Sequence, residues 1–174
     1  MPAFEQAHLQ SLATLSSNTV LITGADGMLG RAFAESLAAV PDCRVIALGR
    51  DRLDVTDREA VMAFAGANPG WIVHCAADVN ADRCETNPDA CHAVQVGGSE
   101  NVAALARACG ARVLFPQSFL IFDGSENAIV EDTRPNPLSV YGQFKLEAET
   151  RVLEALGDRA LVIRMAGFFG GDEK

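Results

Sequence analysis

The chain has 174 residues, 49% hydrophobic and 21% charged, a balance that suits one soluble globular domain and excludes a disordered chain or a membrane protein. Its formal net charge of -9 excludes a nucleic-acid surface, which needs a basic stripe, and leaves small molecules or proteins as partners. Cys43, Cys75, Cys84, Cys91 and Cys109 are odd in number and form no CxxC pair, so neither a disulfide framework nor a metal site is expected, and a reducing cytoplasm fits.

In chain order, residues 1–18 lack a basic leader and read as a weakly helical N-terminal extension. No apolar run reaches membrane-spanning length. Short apolar runs then alternate with longer amphipathic segments over 19–174. "TVLIT" (19–23) reads as a buried strand, followed by a glycine-rich turn and a helix with Leu29, Phe33 and Leu37 at helical spacing. "RVIALG" (44–49) is a second strand, "TDREAVMAFAG" a helix capped by Thr56, and "WIVHCAA" (71–77) a third strand. A long Ala-rich helical region covers roughly 84–109, "ARVLFPQS" is strand four, a loop rich in Pro and acidic residues follows, and then the helix carrying Tyr141. "ALVIRM" (160–165) is strand five. Strands alternating with helices require right-handed crossovers and give a parallel, doubly wound α/β sheet with helices on both faces.

Directly after strand one, "TGADGMLG" sets Gly24, Gly27 and Gly30 in a G-x-x-G-x-x-G spacing. A tight turn and a helix N-terminus meet there, where free backbone N–H groups and the helix dipole favour a pyrophosphate. Gly27 lets the backbone approach the phosphates, and Gly30 lets helix and strand pack closely. Strand two runs into Gly49 and Arg50, where an acidic residue would take the 2′-hydroxyl of NAD; Arg50 suits a 2′-phosphate, so NADP(H) is preferred, with NAD(H) left open by Asp51.

The single tyrosine, Tyr141, stands four residues before Lys145, and on a helix the two share a face. A phenol near a carbonyl can donate the proton that hydride reduction needs, and an ammonium one turn away favours the phenolate and can hold a ribose. Ser118, at the end of strand four, is placed to hydrogen-bond the same carbonyl. His74 with Cys75, Cys84, Cys91 and His92 offers no metal-ligand spacing, and these read as packing or loop residues; Asp123 and Glu131 read as turn and capping groups.

Together, "TGADGMLG", "LDVTD", "HCAADVNADRCETNPD", "FDG" and "NPLSVYGQFKLEAE" resemble the extended short-chain dehydrogenase/reductases, and within them the dTDP-4-dehydrorhamnose reductase group. The resemblance covers about residues 18–174. It implies a Rossmann-type NAD(P)-binding domain over 19–174 and NAD(P)H-dependent reduction of a nucleotide-linked 4-keto sugar. By position it implies Ser118, Tyr141 and Lys145 as catalytic residues, with Gly24, Gly27, Met28, Leu29 and Gly30 at the pyrophosphate. Asp54 and Val55 fall on the adenine side, and Ala76 and Ala77 beside the cofactor ribose, which Tyr141 and Lys145 also approach. Departures from the pattern are Phe119 and Leu120 after Ser118, Gln95 where an Asn supports the lysine through water, and Asp78 in place of an aromatic. The group's chains continue beyond strand five into a substrate lobe, so the sheet is expected to be truncated after strand five, with Lys174 as the truncation point. Two alternatives stand beside the reductase: a sugar-nucleotide epimerase or dehydratase, and a non-catalytic NADP-binding regulatory subunit like the methionine adenosyltransferase β subunit. The family also implies a homodimer built on the helices at 84–109 and 140–155.

Overall fold

The computed structural model describes residues 18–167. The expected extension, apart from Asn18, and the expected truncation point at Lys174 lie outside them. Strands β1 (Thr19–Thr23), β2 (Arg44–Leu48), β3 (Trp71–His74), β4 (Arg112–Ser118) and β5 (Ala160–Met165) form one parallel sheet in the order β2-β1-β3-β4-β5. All five residues of β1 are buried, as a strand covered on both faces must be. Thr23 pairs with Leu48 on one side and His74 on the other, so these three strands end level. The chain order reverses between β1 and β3, and that reversal opens a crevice at the strands' carboxyl ends.

Alternation along the strands sorts the two faces. On one face α1 (Met28–Ala38) lays Phe33, Ala34 and Leu37 over Val20, Ile22 and Val73. On the other, α5 (Gly98–Cys109) and α6 (Val140–Leu156) bury Val102, Leu105, Ala148 and Val152 against Leu21, Ile72, Val113 and Phe115. Leu161 and Ile163 of β5 remain exposed on the α1 side.

Three expectations from the sequence need correction. The second helix, α2 (Arg58–Met62), is capped by Asp57, whose carboxylate accepts the Ala60 N–H at 3.0 Å. Thr56 instead turns back on Asp54, to which both its hydroxyl and its N–H donate. The segment 84–109 is not one helix but α3 (Ala81–Thr86), α4 (Pro88–His92), a π-helical turn (Ala93–Gly97) and α5. Pro88 cannot continue the preceding helix, and Asn87 instead caps a new one. That break folds α4 back on α3 and brings the Cα atoms of Cys84 and Cys91 to 5.1 Å, where the two form a disulfide. An odd count says nothing about two cysteines that a helix break juxtaposes; Cys43, Cys75 and Cys109 are free. Among the described residues no helix is long and apolar enough to cross a membrane.

Candidate active site

A cleft of about 560 Å³ lies at the carboxyl ends of the strands, with the glycine turn on one wall and the start of α6 on the other. Of the residues singled out from sequence, Gly24, Gly27, Met28, Leu29, Gly30, Ala77, Ser118, Tyr141 and Lys145 line it. Arg50, Asp54, Val55 and Ala76 do not. Arg50 is exposed past the end of β2 and donates its backbone N–H to Asp26 Oδ2 at 3.2 Å. The Asp54 carboxylate is engaged by Thr56, and those hydrogen bonds hold its pKa below the usual carboxylate range. Val55 belongs to the core, and its carbonyl accepts from Asn101 Nδ2 at 3.0 Å. Ala76 sits behind the turn, donating its N–H to Thr23 Oγ1.

The glycine wall is defined by backbone. Gly24 has φ +63°, and a Cβ there would stand 2.6 Å from the Ala76 nitrogen. A Cβ on Gly30 would stand 2.8 Å from Ala25 Cα. Gly27 is the N-cap of α1 and brings no side chain to satisfy the helix's first N–H groups, which leaves them to an anion. The turn therefore fits a dinucleotide pyrophosphate.

The opposite wall is defined by side chains. Ser139 caps α6 by accepting the Gly142 N–H at 3.0 Å, and Glu85 of α3 accepts the Val140 N–H at 2.7 Å. With the helix start fixed, Tyr141 and Lys145 face inward one turn apart, 8% and 5% exposed. Gln117 of β4 donates to the Lys145 carbonyl at 2.7 Å, tying helix to strand. Ser118 accepts the Leu120 N–H at 3.1 Å and hydrogen-bonds Tyr141. The Lys145 ammonium lies 5.9 Å from the centroids of both the Tyr141 and the Phe115 rings.

Burial governs the ionisation of this wall. It lowers the Lys145 pKa to about 8. It also raises the Tyr141 phenol above its ordinary value, aided by the charge of Asp78 and opposed by the Ser118 hydrogen bond. The lowering of the phenol expected from Lys145 does not appear; desolvation raises it instead. Beside them, Asp78 accepts a two-pronged ion pair from Arg83 at 2.6 and 2.8 Å, which lowers its pKa. Gln95 is buried, and its amide donates to the Asp78 carbonyl at 2.7 Å. Phe119 and Leu120 line the cleft as partly exposed apolar groups. Asp123 braces its own turn through Ser125 and Asn136, as a turn residue should.

Sequence reasoning passed over Gln117, Thr23 and Ser99 and left His74 as packing. For Thr23, His74 and Gln117 the available signal was a polar residue at an inward position of an apolar strand, as in "TVLIT", "WIVH" and "RVLFPQS"; Ser99, on α5, carried no such signal.

Residues 18–174 match the family described as the RmlD substrate binding domain. The methionine adenosyltransferase 2 subunit beta of Xenopus laevis is 36% identical over 174 residues, covering 95% of this chain and 52% of that protein. The dTDP-4-dehydrorhamnose reductase of Streptomyces griseus is 39% identical over 155 residues, covering 86% and 50%. Among solved structures, the dTDP-4-dehydrorhamnose reductase of Bacillus anthracis in complex with NADP superposes with a TM-score of 0.81 at 28% identity, covering 86% of this chain and 54% of that one. The chain spans about half the length of the curated relatives it matches.

Proposed function

The chain belongs to the RmlD substrate binding domain family, and on that footing we propose that it carries the cofactor site and proton-donating residues of an NAD(P)H-dependent reductase of a nucleotide-linked 4-keto sugar. The observation that carries the reading is the placement of Ser118, Tyr141 and Lys145 on the wall facing an uncapped glycine turn. NADP(H) is the proposed cofactor, as in the Bacillus anthracis complex, with NAD(H) second. When bound, the dihydronicotinamide supplies the hydride. Gly24, Gly27, Met28, Leu29 and Gly30 would hold the pyrophosphate through backbone, and Ala77 would serve the ribose side from within the cleft. Arg50, exposed beyond the cleft, is the group proposed for the adenosine 2′-phosphate, and Asp54, Val55 and Ala76, engaged elsewhere, bring no side chain to it. Tyr141 gives its phenolic proton to the substrate's carbonyl oxygen, Ser118 holds that oxygen by a hydrogen bond, and Lys145 stabilises the phenolate left behind. We assign the cofactor domain to 19–174 and a homodimer contact to α5 and α6, to be checked by sedimentation. A cytoplasmic setting belongs to the same proposal; both sulfurs of the Cys84–Cys91 bond are buried, and thiol exchange needs access.

Calorimetric titration with NADPH and then NADH tests the cofactor site, and saturable binding with NADPH the tighter is expected. A folded chain that binds neither overturns the reading. One observation supports a second reading, an NADP-binding regulatory subunit without turnover: the identity to methionine adenosyltransferase 2 subunit beta. Tyr141→Phe separates the two, because it should abolish keto-sugar reduction and leave a purely binding role intact.

A further inference from the structure

His74 is fully enclosed at the end of β3 and belongs to neither wall's proposed chemistry, yet every one of its polar atoms is engaged. Its Nδ1 stands 2.7 Å from Thr23 Oγ1, one residue before the glycine turn. Its Nε2 stands 3.1 Å from Ser99 Oγ. The Ser99 hydroxyl lies 2.6 Å from the Gln95 carbonyl, which can only accept, so the hydroxyl proton is committed there. Ser99 must then accept from Nε2–H, and Nδ1 must accept from the Thr23 hydroxyl. The Thr23 oxygen in turn accepts the Ala76 N–H at 3.3 Å. Gln95 continues the line by donating to the Asp78 carbonyl. The imidazole ring stacks on Phe115 at 5.2 Å, and the Lys145 ammonium lies over that same Phe115 ring. A second positive charge on His74 would therefore share the Phe115 ring with the Lys145 ammonium, with no carboxylate among its hydrogen-bond partners.

We propose that His74 is a positioning residue: held as the neutral Nε2–H tautomer, it fixes the glycine turn relative to the π-helical turn and the Asp78 loop. The consequence for NADPH affinity rests on the function proposed above; the positioning itself does not.

The test uses the ¹⁵N-labelled chain, which has three histidines. Long-range ring correlations should show His74 with Nε2 protonated and Nδ1 bare from about pH 5 to 8, the range over which an ordinary histidine titrates. A ring protonated at Nδ1, or a ring that titrates in this range, overturns the proposal. His74→Asn keeps an acceptor at the Nδ1 position and should restore the backbone amide shifts around Gly24 but not those around Gln95 and Asp78. His74→Gln keeps a donor at the Nε2 position and should do the reverse. His74→Phe keeps the stacking, loses both links, and should move both sets of amides and weaken NADPH binding about tenfold, with His74→Asn within about threefold of the parent. A folded His74→Phe chain with both sets of amides unmoved sinks the idea. Where His74→Phe does not fold, the Asn and Gln pair decides, since equal effects from the two would contradict a two-sided link. Should the parent chain bind neither cofactor, the reductase reading fails while the amide shifts still decide the role of His74.

Discussion

The glycine turn and the start of α6 face each other across one cleft, yet the first is shaped by backbone meeting backbone and the second by ionisable side chains sunk in apolar surroundings. At the turn, Gly24 and Gly30 leave no space for a Cβ, and the groups offered to a ligand are N–H dipoles that do not titrate. At α6, Tyr141 and Lys145 are almost fully buried, and both have their pKa values moved by desolvation. The difference teaches that one wall can be specified by omitting side chains, whereas the other needs the right side chains and the right solvent exclusion together.

The largest effect expected from disturbing this contrast is on turnover. Tyr141→Phe should lower kcat for keto-sugar reduction by about 10²- to 10⁴-fold, the usual worth of a positioned general acid, while changing NADPH affinity little. Steady-state kinetics and calorimetry on the same sample check both halves of that statement, and a large loss of NADPH binding would erase the division between the walls. Gly24→Ala should do the opposite, damaging fold and cofactor binding before chemistry. The positive φ and the clash with the Ala76 backbone should cost about 3 to 4 kcal/mol, read by urea denaturation.

Lys145 gives a pH-dependent test of the side-chain wall. Its folded pKa of about 8 lies below the unfolded value of 10.5, so below about pH 8 both states carry the ammonium and the burial cost is fully present. Between those two values the unfolded chain binds more protons, and stability rises with pH. Lys145→Met should therefore stabilise the unliganded chain by about 3 kcal/mol near pH 7, with the gain shrinking as pH approaches 10.5. Denaturant midpoints at the two ends of this range measure it, and a gain that does not vary with pH would contradict the desolvation account. Least should follow from Arg151→Ala, which removes contacts to Glu100, Glu147 and Glu154 that are all solvent-exposed. A change of less than about 0.5 kcal/mol is expected by thermal melting, in keeping with exposed ion pairs elsewhere.

The glycine wall was the more legible of the two. The spacing of Gly24, Gly27 and Gly30 after a buried apolar run states a backbone requirement that few other structures impose, and β1 occupies the predicted residues without change. Tyr141 and Lys145 were legible as a pair because four residues is one helical turn. Their environment was not legible, because desolvation comes from Phe115, α3 and α4, which lie far away in the chain. The break at Asn87 and Pro88 was written in the sequence, but its result, Cys84 against Cys91, depends on how α4 folds back.

By itself the sequence determined the order of the strands, the parallel sheet, the glycine turn and the Tyr-Lys spacing, because these follow from local periodicity and from residues with restricted backbone freedom. Only the tertiary structure decided that Cys84 meets Cys91, that Arg50 stands outside the cleft, and that Gln95 holds the Asp78 loop. It alone decided that His74 joins Thr23 to Ser99. The physical reason is that a hydrogen-bond partner or a desolvated charge is defined by neighbours brought together across the sheet, and no local pattern in the chain encodes which polar groups will meet there.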